Sequence, residues 1–164
     1  MSRFRSSWIA LALVLLTPLA LEGQVGAPQG EAKVATVLSV DKLALDAPFR
    51  VAVVIDVADH WHINANPANA EGLIPTTLTL PSTAPIVIDR IVYPKGATTK
   101  VSWSDEPVSL YTGHTIIFAE GHVNASAQPG PVKLEGSLRY QACNDRECLA
   151  PKTMNVALQV DLVR

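Results

Sequence analysis

Apolar and polar residues alternate along three long segments of the chain, which span residues 49–57, 132–140 and 154–162. In the first segment the apolar face consists of Phe49, Val51, Val53, Ile55 and Val57. A period of two is the pattern of a half-buried β-strand, because successive side chains of a strand point to opposite faces. Weaker strand candidates are residues 34–40, 76–80, 86–93 and 115–123. The pattern therefore predicts about seven strands.

Turn-forming residues separate the predicted strands, as in DAP at 46–48, YPKG at 93–96 and AQPG at 127–130. No stretch after residue 27 shows a sustained apolar period of 3.6 residues. These features favour an all-β domain, built as an antiparallel β-sandwich. The chain also has no Gly-rich phosphate loop and no Gly-x-Ser-x-Gly turn, which argues against nucleotide-binding enzymes and α/β-hydrolases.

The first residues have the composition of a secretory signal peptide. Arg3 and Arg5 precede an uncharged apolar run from Trp8 to Leu21, which is shorter than the roughly 20 residues of a membrane-spanning helix. We expect cleavage after Ala27, so that residues 1–27 are the signal peptide and residues 28–164 form a single exported domain in the bacterial periplasm.

The charge of the chain excludes some classes of partner. Its formal net charge is −2, and Lys and Arg form no cluster. Nucleic acid and anionic membrane surfaces are recognised through basic patches, so neither is expected as the main partner.

The candidate chemistry lies in Cys143 and Cys148, which are the only cysteines and have four residues between them. They fall between the predicted strands 132–140 and 154–162. Disulfides persist in exported proteins, so the two cysteines are expected to meet as a disulfide. A bridge that closes so short a loop stabilises a fold by only about 2 kcal/mol, against about 5 kcal/mol for a hundred-residue loop. The spacing is compatible with a structural disulfide and with a redox-active one. The short loop favours the redox-active disulfide.

Histidine supplies a rival site. His60 and His62 are spaced for one face of a strand, and together with the two cysteines they would make a Cys2His2 set suited to zinc or copper. Exported cysteines tend to oxidise, so we predict no metal and no cofactor. His114 and His122 have no such spacing and are expected to be exposed strand residues.

The segment YQACNDRECLAP around the cysteines resembles the active-site segment of the N-terminal periplasmic domain of the thiol:disulfide interchange protein DsbD. HWHINANPANAEGLIPTTLTLP and YPKG are similar to family segments in the same order, so the resemblance covers most of residues 34–164. It implies an immunoglobulin-like sandwich that accepts two electrons from a thioredoxin-like domain, supplied by a membrane thiol reductase, and passes them to oxidised periplasmic proteins. By position in the motif, Cys148 would form the mixed disulfide with partners and Cys143 would resolve it.

The resemblance also implies the surroundings of the active site. His62, Asn64, Tyr140 and Gln141 belong to the matching segments, while Trp103, Asp105, Glu106 and Tyr111 belong to residues 103–113, where the family has a loop that caps the cysteines. The chain departs from the family pattern at Pro107 and Val108, where an aromatic residue covers the disulfide in some members.

A further departure is length, because the full interchange protein continues beyond the position of Arg164. We therefore expect the domain to act with separate thioredoxin-like proteins and a separate membrane reductase. We also expect a monomer. The alternative is an exported sandwich that has a binding or structural role and either an inert disulfide or a Cys/His metal site. The two functions differ in whether the bridge is readily reduced.

Overall fold

A computed structural model of the chain describes residues 30–164, and the predicted signal peptide at 1–27 lies outside them. Within these residues the backbone forms twelve β-strands and no helix. The strands are β1 (Ala32–Leu38), β2 (Lys42–Ala44), β3 (Pro48–Val57), β4 (His62–Asn64), β5 (Thr77–Thr79), β6 (Ile86–Val92), β7 (Ala97–Thr99), β8 (Val108–Tyr111), β9 (His114–Val123), β10 (Gly130–Tyr140), β11 (Ala142–Cys143) and β12 (Lys152–Val163). Residues 30–164 accordingly contain no helix that is long and apolar enough to cross a membrane.

The strands form three four-stranded sheets. The first sheet has the order β1-β3-β9-β6, the second β2-β12-β10-β5 and the third β11-β4-β8-β7. All pairings are antiparallel except that of β2 with β12, which is parallel. The predicted all-β, antiparallel sandwich is therefore confirmed.

The core lies between the first and second sheets. The alternation predicted for residues 49–57 appears in β3, where Val51, Val53 and Ile55 are buried and Arg50 and Asp56 are exposed. These side chains belong to one apolar cluster with residues of β9, β10 and β12, namely Ile117, Ala119, Leu134, Leu138, Val156, Val160 and Leu162. The alternating face of each long strand thus supplies the hydrophobic stabilisation of the domain.

The three long predicted strands match β3, β10 and β12, and the weaker candidates at 86–93 and 115–123 match β6 and β9. The other elements differ. The predicted strand at 34–40 ends at Leu38, and a separate β2 follows at Lys42–Ala44. The strand at 76–80 is reduced to Thr77–Thr79. Four further strands of two to four residues (β4, β7, β8 and β11) make up the whole third sheet, and the pattern did not predict them.

The start of the described chain is attached to the second sheet through a polar cluster. The Glu31 carboxylate accepts hydrogen bonds from Tyr140 Oη at 3.3 Å and from Lys152 Nζ at 2.8 Å. Burial opposes ionisation of Glu31, but the hydrogen bond and the charge of Lys152 prevail and lower its pKa. The cluster holds the segment before β1 against the ends of β10 and β12, next to the connection that carries the cysteines.

Substitution of two adjacent isoleucines in β9 tests which face of the strand lies in the core. Ile117 is fully buried in the core cluster, and Ile116 lies half-buried on the opposite face. We expect Ile117→Ala to lower the free energy of unfolding by about 2–5 kcal/mol, because it leaves a cavity in the core. Ile116→Ala should cost less than half as much. Urea unfolding of both variants measures the difference, and equal costs would contradict the assignment of faces.

Candidate functional site

The two cysteines form a disulfide at the base of a tight hairpin between β10 and β12. Cys143 ends β11 and is paired across the hairpin with Cys148. The backbone closes the hairpin on both sides of the bridge, since Leu149 N donates to Ala142 O and Asn144 N donates to Glu147 O, each at 2.9 Å. The predicted position of the pair between two adjacent strands is correct, with the addition that Cys143 belongs to a short strand.

The Asn144 side chain organises the turn between the cysteines. Its Oδ1 accepts hydrogen bonds from the backbone amides of Arg146 at 2.8 Å and Glu147 at 3.0 Å. Asn is favoured at such turns because its short side chain can replace a backbone acceptor. The turn is therefore held by two side-chain-to-backbone hydrogen bonds in addition to the disulfide.

The two sulfur-bearing residues differ in exposure. Cys143 is 0% exposed, whereas Cys148 is among the exposed residues of the chain. Thiol–disulfide exchange requires a thiolate to reach a sulfur atom, and access decides which sulfur is attacked. In this arrangement a partner can approach the bridge from the Cys148 side.

Strand β4 lies beside the buried cysteine. His62 is directly opposite Cys143, and Ile63 is directly opposite Ala142. All three residues of β4 are buried, and β4 is paired on its other edge with β8. Side chains directly opposite each other in an antiparallel pair lie on the same face, with Cβ atoms about 4.5–5.5 Å apart. The His62 and Cys143 side chains are therefore neighbours.

Asn64 and Gln141 connect β4 to the residues that follow the cysteines. Asn64 Nδ2 donates to Ile74 O at 3.0 Å and lies 3.5 Å from Gln141 Oε1. Gln141 Nε2 in turn donates to Leu149 O at 3.1 Å. These two predicted site residues thus support the base of the hairpin through hydrogen bonds.

The loop between β7 and β8, residues 100–107, covers His62. The Trp103 ring stacks on the His62 ring with 6.2 Å between centroids and 21° between planes. Ser102 Oγ donates to Asp145 O at 3.1 Å, which joins this loop to the cysteine hairpin. At its other end, Asn69 Nδ2 donates to Pro107 O at 2.9 Å. We call residues 100–107 the covering loop; the predicted loop at 103–113 is too long, because residues 108–111 are strand β8.

The environment of His62 favours a neutral imidazole. Burial lowers its pKa, and the nearby charge of Asp145 opposes this effect only in part. Within residues 30–164, the buried Nε2 atom of His62 has no hydrogen-bond partner. A buried polar atom without a partner is costly in a folded protein and is an indication of function.

Several of the expected site residues have other contacts. Tyr111 Oη donates to Pro94 O at 2.8 Å and accepts from Asn66 N at 3.1 Å, which holds together the segments around β4 and β8. Tyr140 belongs to the Glu31 cluster, where burial, followed by the negative charge of Glu31, raises its pKa to about 12. Asp105 and Glu106 are exposed on the covering loop, and only the Glu106 carbonyl is engaged, by Ser104 Oγ at 2.7 Å.

The geometry does not support the alternative metal site in its expected form. His60 has a φ of 67° and lies in the turn before β4, so His60 and His62 do not share the face of a strand. Across residues 30–164, no three His, Cys, Asp or Glu side chains are grouped to hold a metal ion. His114 and His122 have exposed side chains, as expected, and they lie 2.7 Å from Asp56 and 3.0 Å from Asp89 respectively.

Sequence reasoning did not single out Ser102, Asn69 or Asn144, which hold the covering loop and the hairpin in place. Asn144 carried a usable signal, because Asn followed by polar residues between two strands is typical of such turns. Ser102 and Asn69 act across long sequence separations, and the sequence contains no local signal for contacts of that kind.

Comparison with known proteins finds no matching family model and no matching curated protein. Among solved structures, the N-terminal periplasmic domain of ScsB from Proteus mirabilis matches with a TM-score of 0.54 and 13% identity over 85% of this chain. This chain spans 50% of that one. The DsbD N-terminal domain of Neisseria meningitidis, in its reduced form, matches with a TM-score of 0.48 and 15% identity, over 78% of this chain and 85% of that one.

The match to the ScsB domain shows a shared fold. The described part of this chain has the β-sandwich fold of the N-terminal periplasmic domain of ScsB.

Proposed function

We propose that residues 28–164 form an exported, periplasmic thiol:disulfide exchange module whose redox centre is Cys143 and Cys148. The observation that supports this most is the unequal exposure of the pair, with Cys148 exposed and Cys143 buried. A second argument comes from the hairpin, which is already closed by backbone and Asn144 hydrogen bonds. A bridge across such a hairpin adds little as a staple, so an inert structural disulfide explains the site less well.

The exchange proceeds in two balanced steps. A partner thiolate attacks the Cys148 sulfur, the bond to Cys143 breaks, and its electron pair remains on Cys143 as a thiolate. The partner's second thiolate then attacks the partner sulfur of the mixed disulfide and releases Cys148. The partner is oxidised to a disulfide, and this domain gains two electrons and takes up two protons. In the opposite direction, Cys148 attacks an oxidised protein and Cys143 resolves the mixed disulfide.

The proposed partners are thioredoxin-like periplasmic proteins and a membrane thiol reductase. The domain acts as a monomer and binds one partner at a time. Cys148 lies next to Arg146 and Glu147 at the exposed end of the hairpin, where a partner's active-site surface can approach. Asp145 and Glu147 outnumber Arg146 in this turn, which does not favour a strongly acidic thiol. Such a pair is better suited to be attacked by the low-pKa thiolate of a partner than to initiate attack.

Trapping of mixed disulfides tests the assigned roles. The probe is a thioredoxin-like protein that retains one active-site cysteine, activated as a mixed disulfide with thionitrobenzoate. We expect Cys143→Ser, which leaves the exposed Cys148, to release thionitrobenzoate and form the protein–protein disulfide at least about tenfold faster than Cys148→Ser. Absorbance and non-reducing electrophoresis measure both reactions. Equal rates would contradict the assigned roles, and no reaction with either variant would contradict the exchange function.

The Asn144 turn should influence the redox equilibrium. Asn144→Ala removes the acceptor of two backbone amides, so the reduced hairpin becomes less ordered and the disulfide is harder to re-form. If this costs about 1 kcal/mol, the reduction potential should become less negative by about 20 mV. Equilibration with glutathione buffers measures the shift.

Asn124→Ala is a matched control for this variant. Asn124 Oδ1 also accepts from a backbone amide two residues ahead, that of Ser126 at 2.9 Å, in a turn between β9 and β10. It should leave the potential unchanged. A potential that moves equally in both variants, or in neither, would show that the Asn144 turn does not preorganise the cysteines.

A further inference from the structure

Reduction of the bridge creates a charge in a buried place. When a thiolate attacks Cys148, the leaving sulfur is that of Cys143, which is 0% exposed. Burial without a partner disfavours a thiolate and raises the pKa of the thiol. The proposed exchange therefore needs a group beside Cys143 that can donate a hydrogen bond or a proton to its sulfur.

His62 is placed to be that group. It is directly opposite Cys143 in the β4–β11 pair, so the two side chains lie on one face of the third sheet. Its Nε2 atom is buried and has no partner among the described residues, although a buried ring nitrogen is normally hydrogen-bonded. The Trp103 ring stacks on the imidazole and restricts its movement.

The charged and titratable groups around His62 come from three segments. Asp145 belongs to the cysteine hairpin, and its negative charge acts on the imidazole. Asp59 and His60 precede β4 and line a surface cleft together with His62 and Asp145. Asp105 and Glu106 lie exposed on the covering loop, and β8 contributes Tyr111, whose hydroxyl is held elsewhere.

These neighbouring groups are themselves unsuited to stabilising a thiolate on Cys143. The carboxylates would repel a thiolate. Arg146, the cation of the hairpin, is exposed, where solvent screens its charge. His62, by contrast, is buried and lies directly opposite Cys143 in the β4–β11 pair.

We propose that His62 shares a proton with the sulfur of Cys143 and so stabilises the thiolate that leaves when Cys148 is attacked. This inference rests on the proposed exchange function, of which it specifies one step. The bond that breaks is Cys143–Cys148, and its electron pair goes to the Cys143 sulfur. The imidazole Nε2–H donates a hydrogen bond to that sulfur. The Nε2 proton then passes to the sulfur while Nδ1 takes up a proton from solvent in the cleft that His62 lines, so the imidazole stays neutral.

The same arrangement operates in the reverse direction. When Cys143 resolves a mixed disulfide on Cys148, the Cys143 thiol must lose its proton before its sulfur attacks. The neutral imidazole, which burial favours, is the form that can accept that proton.

The test measures the pKa of Cys143 without any partner protein. In the Cys148→Ser variant, Cys143 is the only thiol, and its ionisation is followed by thiolate ultraviolet absorbance against pH. Adding His62→Phe keeps an aromatic ring against Trp103 and removes the nitrogens. We expect this second substitution to raise the pKa of Cys143 by about one unit or more, a tenfold lower thiolate fraction at pH values below the pKa.

His60→Asn is the matched control in the same background. It removes a neighbouring histidine that is not opposite Cys143, and Asn tolerates the positive φ of this position. It should leave the pKa of Cys143 within about 0.3 unit, which is well under the shift expected from losing a direct hydrogen-bond partner. A pKa that is unchanged in His62→Phe, or equally shifted in His60→Asn, would overturn the proposal.

A second measurement needs no substitution at His62. It tests proton sharing between His62 and Cys143 even if the His62→Phe variant fails to fold. In the Cys148→Ser variant, the ring resonances of His62 should show an inflection at the pH where the thiolate absorbance rises. Those of His114 and His122 should not. If the chemical shifts of the His62 ring do not change through that titration, the proposed proton sharing is wrong. Neither measurement requires thiol–disulfide exchange with a partner. Failure of the trapping experiment alone would therefore reject the proposed function, while these two titrations would still decide whether His62 and Cys143 are coupled.

Discussion

The pairing of β11 with β4 is the constraint on which the candidate site depends. It places Cys143 against His62 in the interior, while the following turn returns the chain to the surface at Cys148. Because the bridge joins a buried residue to an exposed one, the two sulfurs become chemically distinct. The difference is produced by backbone pairing and burial, since the charges near the cysteines are few and exposed.

The small third sheet is anchored to the two large sheets of the sandwich, because Ile63, Tyr111 and Ala142 belong to the core cluster. Strands β10 and β12 pair along their whole length, from Gly130 opposite Leu162 to Tyr140 opposite Lys152, and the cysteine hairpin is the connection between them. Strand β4 is fixed from the other side by β8 and by the Asn64 hydrogen bond to Ile74. The cysteine hairpin is thus attached to two long strands that are paired up to its base.

The sequence predicts the scaffold better than the site. Long strands such as β3 and β12 show their period of two over many residues, which fixes both their type and their buried face. Strands of two to four residues, such as β4 and β11, are too short to show a period, so the third sheet could not be predicted from alternation. The motif resemblance nevertheless identified His62, Asn64 and Gln141 near the cysteines, and the hydrogen bonds and pairing place them there. The resemblance could not show that Tyr111 and Tyr140 differ from these residues in having hydroxyls bonded elsewhere. The direction of a side chain depends on tertiary packing, which the motif does not contain.

The central claim is that the Cys143–Cys148 bridge is a redox couple, and its reduction potential is the most direct measure of that. Residues 28–164, equilibrated with glutathione redox buffers and alkylated to count free thiols, should give a value of about −200 to −250 mV, in the range of exchange proteins. A value below about −300 mV would mark a bridge that resists reduction and would contradict the account.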